Sequence, residues 1–407
     1  MQQIHIARHP ILDREQNLFG YELQFRDPQN PAADASLAED YPTTLVDTID
    51  SPEFARLLGN RAAFVTVTPD FIDRGFASLL PKKQTVFDLV QTMEASQDLL
   101  DTLGKAKKEG FRLVFSLLLS DPAYYPVYET VDFIRIDLNL FEGERLDELL
   151  ATLQDYPARL IADNVHSREA FELAAAKGFD YFQGQFFARP AQVTTETLSP
   201  HKLALLTLFR QITGDAEFSD IERTFKENPD LSYKLLRIIN SAAFYRPKEI
   251  HSIRQSLAML GKWNLRRWVA LLLYSGASSG HGPNPLLEEA VIRGMIMERM
   301  AGHLDEDGRF AESAFITGTL SVIEALLARP MGQIVADLSL EEEISEALLH
   351  NQGTLGEMLE TIIRLREEKA LPKDRPASLN AISDELLMAY EEQAIQEFEE
   401  IGQTVDD

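Results

Sequence analysis

The feature that most narrows what this chain can fold into is a period. Between residues 62 and 184, short runs rich in β-branched and aromatic residues begin about 20 to 27 residues apart: AAFVTV (62–67), TVFDLV (85–90), FRLVFSL (111–117), VDFIRID (131–137), ARLIAD (158–163) and DYFQG (180–184). The intervening stretches have helical spacing and end on helix-stop residues. Lys107, Lys108 and Gly110 precede the third run, and Lys177 and Gly178 precede the sixth, as basic last turns and glycine caps should. Repeated strand–helix units with near-continuous apolar strands predict a parallel sheet covered by helices. Two earlier extended segments, QQIHIAR (2–8) and FGYELQF (19–25), bring the count to about eight strands, the number that closes a TIM-like (β/α)8 barrel.

After RPAQVTTETLSP (189–200), a Pro- and Thr-rich stretch read as a linker, the alternation stops. Leu203, Leu206, Leu208 and Ile212, then Leu231, Leu235, Leu236 and Ile239, recur at helical spacing, so the second half is expected to be all-helical. SGASSGHGPNP (275–285) reads as a plain loop, since it lacks the GK[ST] ending of a phosphate loop. The acidic end, EEQAIQEFEEIGQTVDD (391–407), reads as a solvated helix fraying into a tail. The expected division is 1–195, 196–390 and a tail 391–407, in the class α/β plus all-α.

Charge and cysteine usage remove several functions. With 39 basic and 65 acidic residues the formal net charge is −26, which repels a nucleic-acid backbone at long range. The absence of cysteine removes disulfide scaffolds, thiolate metal sites and thiol nucleophiles. The start, MQQIHIARHP, lacks the charged and apolar regions of a secretory leader, and the longest apolar runs, LVFSLLL (113–119) and WVALLLY (268–274), fall far short of the roughly 20 residues of a membrane helix. A cytoplasmic protein that binds neither nucleic acid nor membrane is expected.

In such a barrel the chemistry sits where strands run into their following loops. There YELQFR (21–26), preceded by ARHPILDREQNLFGYEL (7–23), resembles the signature of EAL domains, barrels that in active members hydrolyse cyclic di-GMP; the opening resembles those EAL domains that are joined to an HDOD domain. FIRID (133–137), LIADNV (160–165) and FDYFQGQFFARP (179–190) resemble the later EAL landmarks in order. The resemblance implies a two-metal phosphodiesterase site built from carboxylates. Carried over by position, it keeps Glu22, Asp137 and Gln183. It places Thr66 at an asparagine ligand, Asp88 and Asp163 at glutamates, His166 at a second acidic position and Arg135 at a lysine. It puts Ser116 and Leu117 at a pair of aspartates. Leucine can neither ligate a metal nor accept a proton, so the site is expected to be catalytically inactive and without a cofactor, with Arg135 forming a salt bridge across it. Glu22, Asp88 and Asp163 then stand either as a holder for one ion or as a hydrogen-bonded carboxylate cluster. Arg26 and Gln183 are the retained positions that would touch the nucleotide, but without metals to neutralise its phosphates the reading is against cyclic di-GMP binding.

NPDLSYKLLRIINSAAFYRPKEIHSIRQSLAMLGKWNLRRWVALLL (228–273) resembles the core of HDOD domains, helical bundles related to HD-type phosphohydrolases. Ser321 and Val322 stand where those relatives carry a His-Asp dyad, and HDOD domains lack that dyad too. Gly261 is expected to break the helix that contains it. His5 and His9 have H-x-x-x-H spacing, but on a strand they lie about 13 Å apart, too far to share an ion. Lys262, Trp263, Arg266 and Arg267, with Trp268, form the densest basic and aromatic cluster of the helical half. They are candidates for protein docking, or for a core tryptophan flanked by solvated charges.

These readings predict a non-enzymatic bacterial signalling protein. Its inactive EAL barrel and HDOD bundle would act through contacts with other signalling proteins, in motility or biofilm regulation by implication of the resemblance, with a homodimer as a further expectation. A cyclic di-GMP receptor that does not hydrolyse, and a residual phosphodiesterase with an altered ligand set, are the two alternatives.

Overall fold

The computed structural model of the chain describes residues 5–26, 41–49, 58, 61–90, 95–189, 198–214, 216–240, 250, 252–274, 284–304, 308–367, 371–372 and 374–406. The linker 190–197, most of the loop 275–285, His251, His281 and part of the HDOD-like stretch lie outside these residues.

Eight strands close a barrel in sequence order: β1 (His5–Asp13), β2 (Leu18–Arg26), β3 (Ala62–Thr66), β4 (Thr85–Val90), β5 (Arg112–Leu117), β6 (Phe133–Asp137), β7 (Arg159–Asp163) and β8 (Tyr181–Gln183). Strands β2 to β8 run parallel as the period predicts, and β4 spans the predicted residues. β1 departs from the regular (β/α)8 pattern, being antiparallel to both β2 and β8. Only Arg14–Asn17 separate β1 from β2, enough for a hairpin and far too few for a parallel crossover. Asp13 fixes that hairpin, since its carboxylate accepts from the backbone N–H of Asn17 at 2.8 Å.

Helices α1 (Tyr41–Ile49), α2 (Pro69–Asp73), α3 (Gln97–Glu109), α4 (Tyr125–Tyr128), α5 (Gly143–Leu153) and α6 (Arg168–Ala176) accompany the strands. Ser96 caps α3 by accepting from the N–H of Leu99, and Gly110 ends it in a left-handed conformation, φ +98°, where a side chain would be strained. Strand alternation splits the apolar residues into two cores. Ile134, Ile136, Phe115 and Leu117 face outward against the helices. Phe19, Phe64, Phe133 and Tyr181 plug the barrel interior, with Phe19 stacked on Tyr181 at a ring distance of 4.1 Å. This aromatic layer is the floor beneath the polar end.

The second half is helical, as its spacing predicts: α7 (Pro200–Thr213), α8 (Phe218–Glu227), α9 (Pro229–Ile239), α10 (Ile253–Tyr274), α11 (Pro285–Leu304), α12 (Gly308–Leu320), α13 (Ile323–Leu327), α14 (Met331–Leu338), α15 (Glu342–His350), α16 (Gly353–Glu367) and α17 (Asp384–Asp406). Gly261 breaks α10 at φ +74°. α11 and α12 pack closely enough that Gly294 and Gly318 have no room for a Cβ. α17 corrects the reading of 391–407 as a solvated tail: it is helical through Asp406, it packs on β1 and α11, and Glu391 is only 1% exposed. The reason is charge pairing, because cations of both halves reach its carboxylates.

Candidate functional site

Because side chains alternate along a strand, β6 directs Phe133, Arg135 and Asp137 toward the barrel axis and Ile134 and Ile136 away from it. Arg135, 4% exposed, stands at the C-terminal end of the barrel, where carboxylates from three other strands meet it. Its Nη2 lies 2.9 Å from Asp88 Oδ2 on β4, and its Nη1 lies 3.3 Å from Glu22 Oε1 on β2 and 3.6 Å from Asp163 Oδ2 on β7. Gln183 on β8 closes the ring: its Oε1 accepts from Arg135 Nη1 and its Nε2 donates to Glu22 Oε2 at 2.7 Å. Ser116 Oγ donates to Asp88 Oδ1 at 2.6 Å, and Asp163 Oδ1 accepts from the backbone N–H of Asn164.

A lone buried guanidinium would be strongly disfavoured; here burial opposes its charge, but the carboxylates of Asp88, Glu22 and Asp163 more than offset that, and its pKa is raised. Asp88 shows the other side of the balance. Burial pushes its carboxyl up, only partly countered by Arg135 and the Ser116 hydroxyl.

The sequence-derived candidates fall in different places. Glu22, Asp88, Ser116, Arg135, Asp163 and Gln183 are brought together. Asp137 caps the turn after β6, accepting from the N–H of Asn139 at 2.8 Å. Thr66 is beside Asp88 in the strand register, and its carbonyl accepts from Tyr41 at 2.7 Å. Leu117 lies in the outer core, 2% exposed, packed toward the helices. His166 is close in sequence to β7, and its buried Nδ1 has no hydrogen-bond partner among the described residues. Arg26 is committed at the rim of β2: Nη1 donates to Glu391 Oε2 at 2.6 Å, and Nε and Nη2 donate to Gln24 Oε1 at 3.2 and 2.9 Å.

The basic and aromatic cluster of α10 is engaged within the helical half. Arg266 makes a bidentate pair with Glu341 at 2.9 and 2.8 Å, and Arg267 pairs with Glu298 at 2.8 Å while its guanidinium sits 3.9 Å from the Phe315 ring centre. Trp263 meets Phe315 edge-on and Trp268 stacks on Phe225. Lys262, partly buried, lies on the same helix.

Sequence reasoning missed a second polar assembly, where the halves meet. Arg8 on β1 donates to Glu288 Oε1 on α11 at 2.9 Å, approaches Glu399 on α17 at 2.6 Å and lies 4.4 Å over the ring of Tyr21, whose hydroxyl donates to Glu288 Oε2 at 2.7 Å. Beside it Arg366 on α16 bridges Glu289, at 2.7 Å, and Glu391, at 2.9 Å, and Arg293 also holds Glu289 at 2.7 Å. The sole sequence signal was polar residues in otherwise apolar β1 and α11.

The carboxylates fit a guanidinium better than a metal pair. Each points an oxygen at Arg135, and among the described residues no group of three or more His, Asp or Glu side chains has the convergence of a metal site. A divalent ion needing six oxygen ligands finds its nearest donors already committed.

Comparison with known proteins matches the HDOD domain family to residues 205–363. The chain is 28% identical over 365 residues to the Vibrio cholerae protein named cyclic di-GMP phosphodiesterase CdgJ, covering 88% of this chain and 84% of that one. It is 25% identical over 372 residues to YuxH of Bacillus subtilis, covering 88% of this chain and 90% of that one. Among solved structures, the PaMucR phosphodiesterase in complex with c-di-GMP aligns with a TM-score of 0.39 and 13% identity, over 46% of this chain and 96% of that one.

These findings correct three expectations: that the chain is not an enzyme, that it acts only through protein contacts, and that it does not bind cyclic di-GMP. Similarity along most of a protein named for cyclic di-GMP hydrolysis argues the other way. The physical reason lies partly in Leu117. The inference of a lost ligand assumed that position faces the pocket, whereas strand alternation turns Leu117 into the outer core and leaves Ser116 inside, bonded to Asp88. The chain thus carries an HDOD domain match within its helical half, behind a closed eight-stranded barrel, and is similar over most of its length to CdgJ and YuxH.

Proposed function

We propose that the C-terminal end of the barrel is a cyclic di-GMP phosphodiesterase site with an altered residue set, in residues 1–195, and that residues 196–390 form the HDOD unit that works with it. The observation that carries this reading is the meeting of Glu22, Asp88 and Asp163 at one point, from three strands, in a chain similar over 88% of its length to a protein named as such a phosphodiesterase.

Hydrolysis of a phosphodiester adds water to phosphorus and breaks the bond to one ribose oxygen, giving a linear dinucleotide. It requires a base for the water and positive charge near the phosphoryl oxygens. Glu22 and Asp163, at 18% and 15% side-chain exposure, present the accessible carboxylate edges for the proton, and Arg135 supplies the positive charge. Gln183 orients Glu22 and Arg135 together.

The test is incubation of the full chain with cyclic di-GMP, with and without Mg²⁺ or Mn²⁺, and chromatography for the linear dinucleotide. Product that disappears in Glu22→Gln supports the reading. Absence of the linear dinucleotide under both conditions would overturn it, whether or not calorimetry shows binding.

A further inference from the structure

We propose that Arg135 is the resident cation of the barrel end, a guanidinium tethered where the carboxylates would otherwise gather a divalent ion, and that it excludes such an ion from the site. The inference deepens the phosphodiesterase reading and rests on it for the meaning of the site.

Three observations carry it. The first is position: one guanidinium lies within 2.9 to 3.6 Å of carboxylate oxygens from β2, β4 and β7. A divalent ion collecting the same three groups would have to stand in the same place, and two cations cannot share it at low dielectric.

The second is the hydrogen bonding of the guanidinium itself. Arg135 is 4% exposed, yet its Nε makes no hydrogen bond among the described residues, and its Nη2 approaches Asp88 as an ion-pair partner without regular hydrogen-bond geometry. A structural arginine in a planar fork saturates its five donors; this one is held by charge, surrounded on several sides, as a bound cation would be.

The third is the support around it. Gln183 accepts from Arg135 and donates to Glu22, so the amide is oriented to suit a positive charge in the ring. Ser116 holds the far oxygen of Asp88, turning the near oxygen toward the guanidinium. The supporting residues are therefore set for an arginine.

Neutralising Arg135 should leave the ring with uncompensated negative charge, which a divalent ion can then satisfy. The test is Mn²⁺ titration of the full chain without nucleotide, followed by the electron paramagnetic resonance signal of the unbound ion. Wild type is expected to show no saturable site dependent on Glu22. Arg135→Gln, which keeps amide donors for Gln183, is expected to gain one site at least about tenfold tighter than any in wild type, and Glu22→Gln added to it is expected to abolish that site. Arg135→Lys keeps the charge and should bind no better than wild type.

Saturable Mn²⁺ binding by wild type that is weakened by Glu22→Gln would overturn the proposal, and that arm requires no arginine variant to fold. A folded Arg135→Gln, by circular dichroism, that gains no site would also overturn it. Because no nucleotide is present, either failure is distinct from failure of the phosphodiesterase reading, which is judged by linear dinucleotide alone.

Discussion

Glu391, near the end of the chain, accepts from Arg26, near its beginning, at 2.6 Å, and neither side chain is more than 6% exposed. Arg26 closes strand β2, four residues beyond Glu22, so the last helix is tied directly to the strand that carries a carboxylate of the candidate site. Glu391 also holds Arg366 at 2.9 Å, and through it the chain of charges continues to Glu289 and Arg293.

Breaking that tie should be expensive, since a buried charge left without its partner typically costs about 3–5 kcal/mol. Glu391→Ala and Arg26→Ala are each expected to lower stability on that scale, and the double variant should cost clearly less than their sum. Urea unfolding of the four members of the cycle measures the coupling; additivity would show that the two groups do not act on each other.

The pH response of the assembly follows from Glu289. Burial pushes its carboxyl up, but Arg366 and Arg293 together pull it down to about 2, from an ordinary value of 4.5. A depressed carboxylate contributes stability that is fully present above about 4.5 and is lost as pH falls through about 2, on the order of 3 kcal/mol in all. Stability measured between pH 5 and pH 2.5, roughly that window, should fall more steeply for wild type than for Glu289→Gln.

The helical core has its own narrow tolerance. A Cβ on Gly318 would stand 2.7 Å from the backbone C and O of Arg293, and one on Gly294 would stand 2.5 Å from Thr319 Oγ1. Gly318→Ala must therefore push α11 and α12 apart, at about 1–3 kcal/mol as for other overpacked sites. The expected result is a lower Tm for Gly318→Ala and no change for Gly302→Ala, whose added Cβ meets nothing within 4 Å on the same α11.

Gly184 links packing to the site. Its φ is +139°, and a Cβ added there would collide with the backbone carbonyl of Val165, so the position has no place for a side chain. Gly184→Ala should displace the neighbouring Gln183 and with it the orientation of Glu22 and Arg135, costing about 1–3 kcal/mol of stability. Differential scanning calorimetry checks the stability, and the same variant should lose dinucleotide formation more sharply than Gly104→Ala, a control on α3 with nothing within 4 Å of its added methyl.

Much of the barrel was legible because its cues are local. TVFDLV is β4 to the residue, and Gly110 and Gly178 both adopt the left-handed conformation that their place after basic turns predicts. Leu117 is a case in which the signal was present but unused: Val114 in, Phe115 out, Ser116 in, Leu117 out follows from strand alternation alone. The antiparallel β1 was likewise implied by the shortness of Arg14–Asn17.

The sequence by itself determined the elements, their order, the closed barrel followed by helices, and the residue types at each strand end, since hydrophobic period, caps and turn lengths act over a few residues. Only the tertiary structure decided what those side chains do. Arg135 and Glu22 are 113 positions apart and Arg26 and Glu391 are 365 apart, and nothing in local sequence ranks one distant carboxylate above another as a partner. Barrel closure brings the first pair within reach, and the packing of the last helix on β1 brings the second. Buried charge is tolerated only where opposite charge is delivered to it, so both the ringed guanidinium and the acidic end that reads as solvated tail took their roles from the fold.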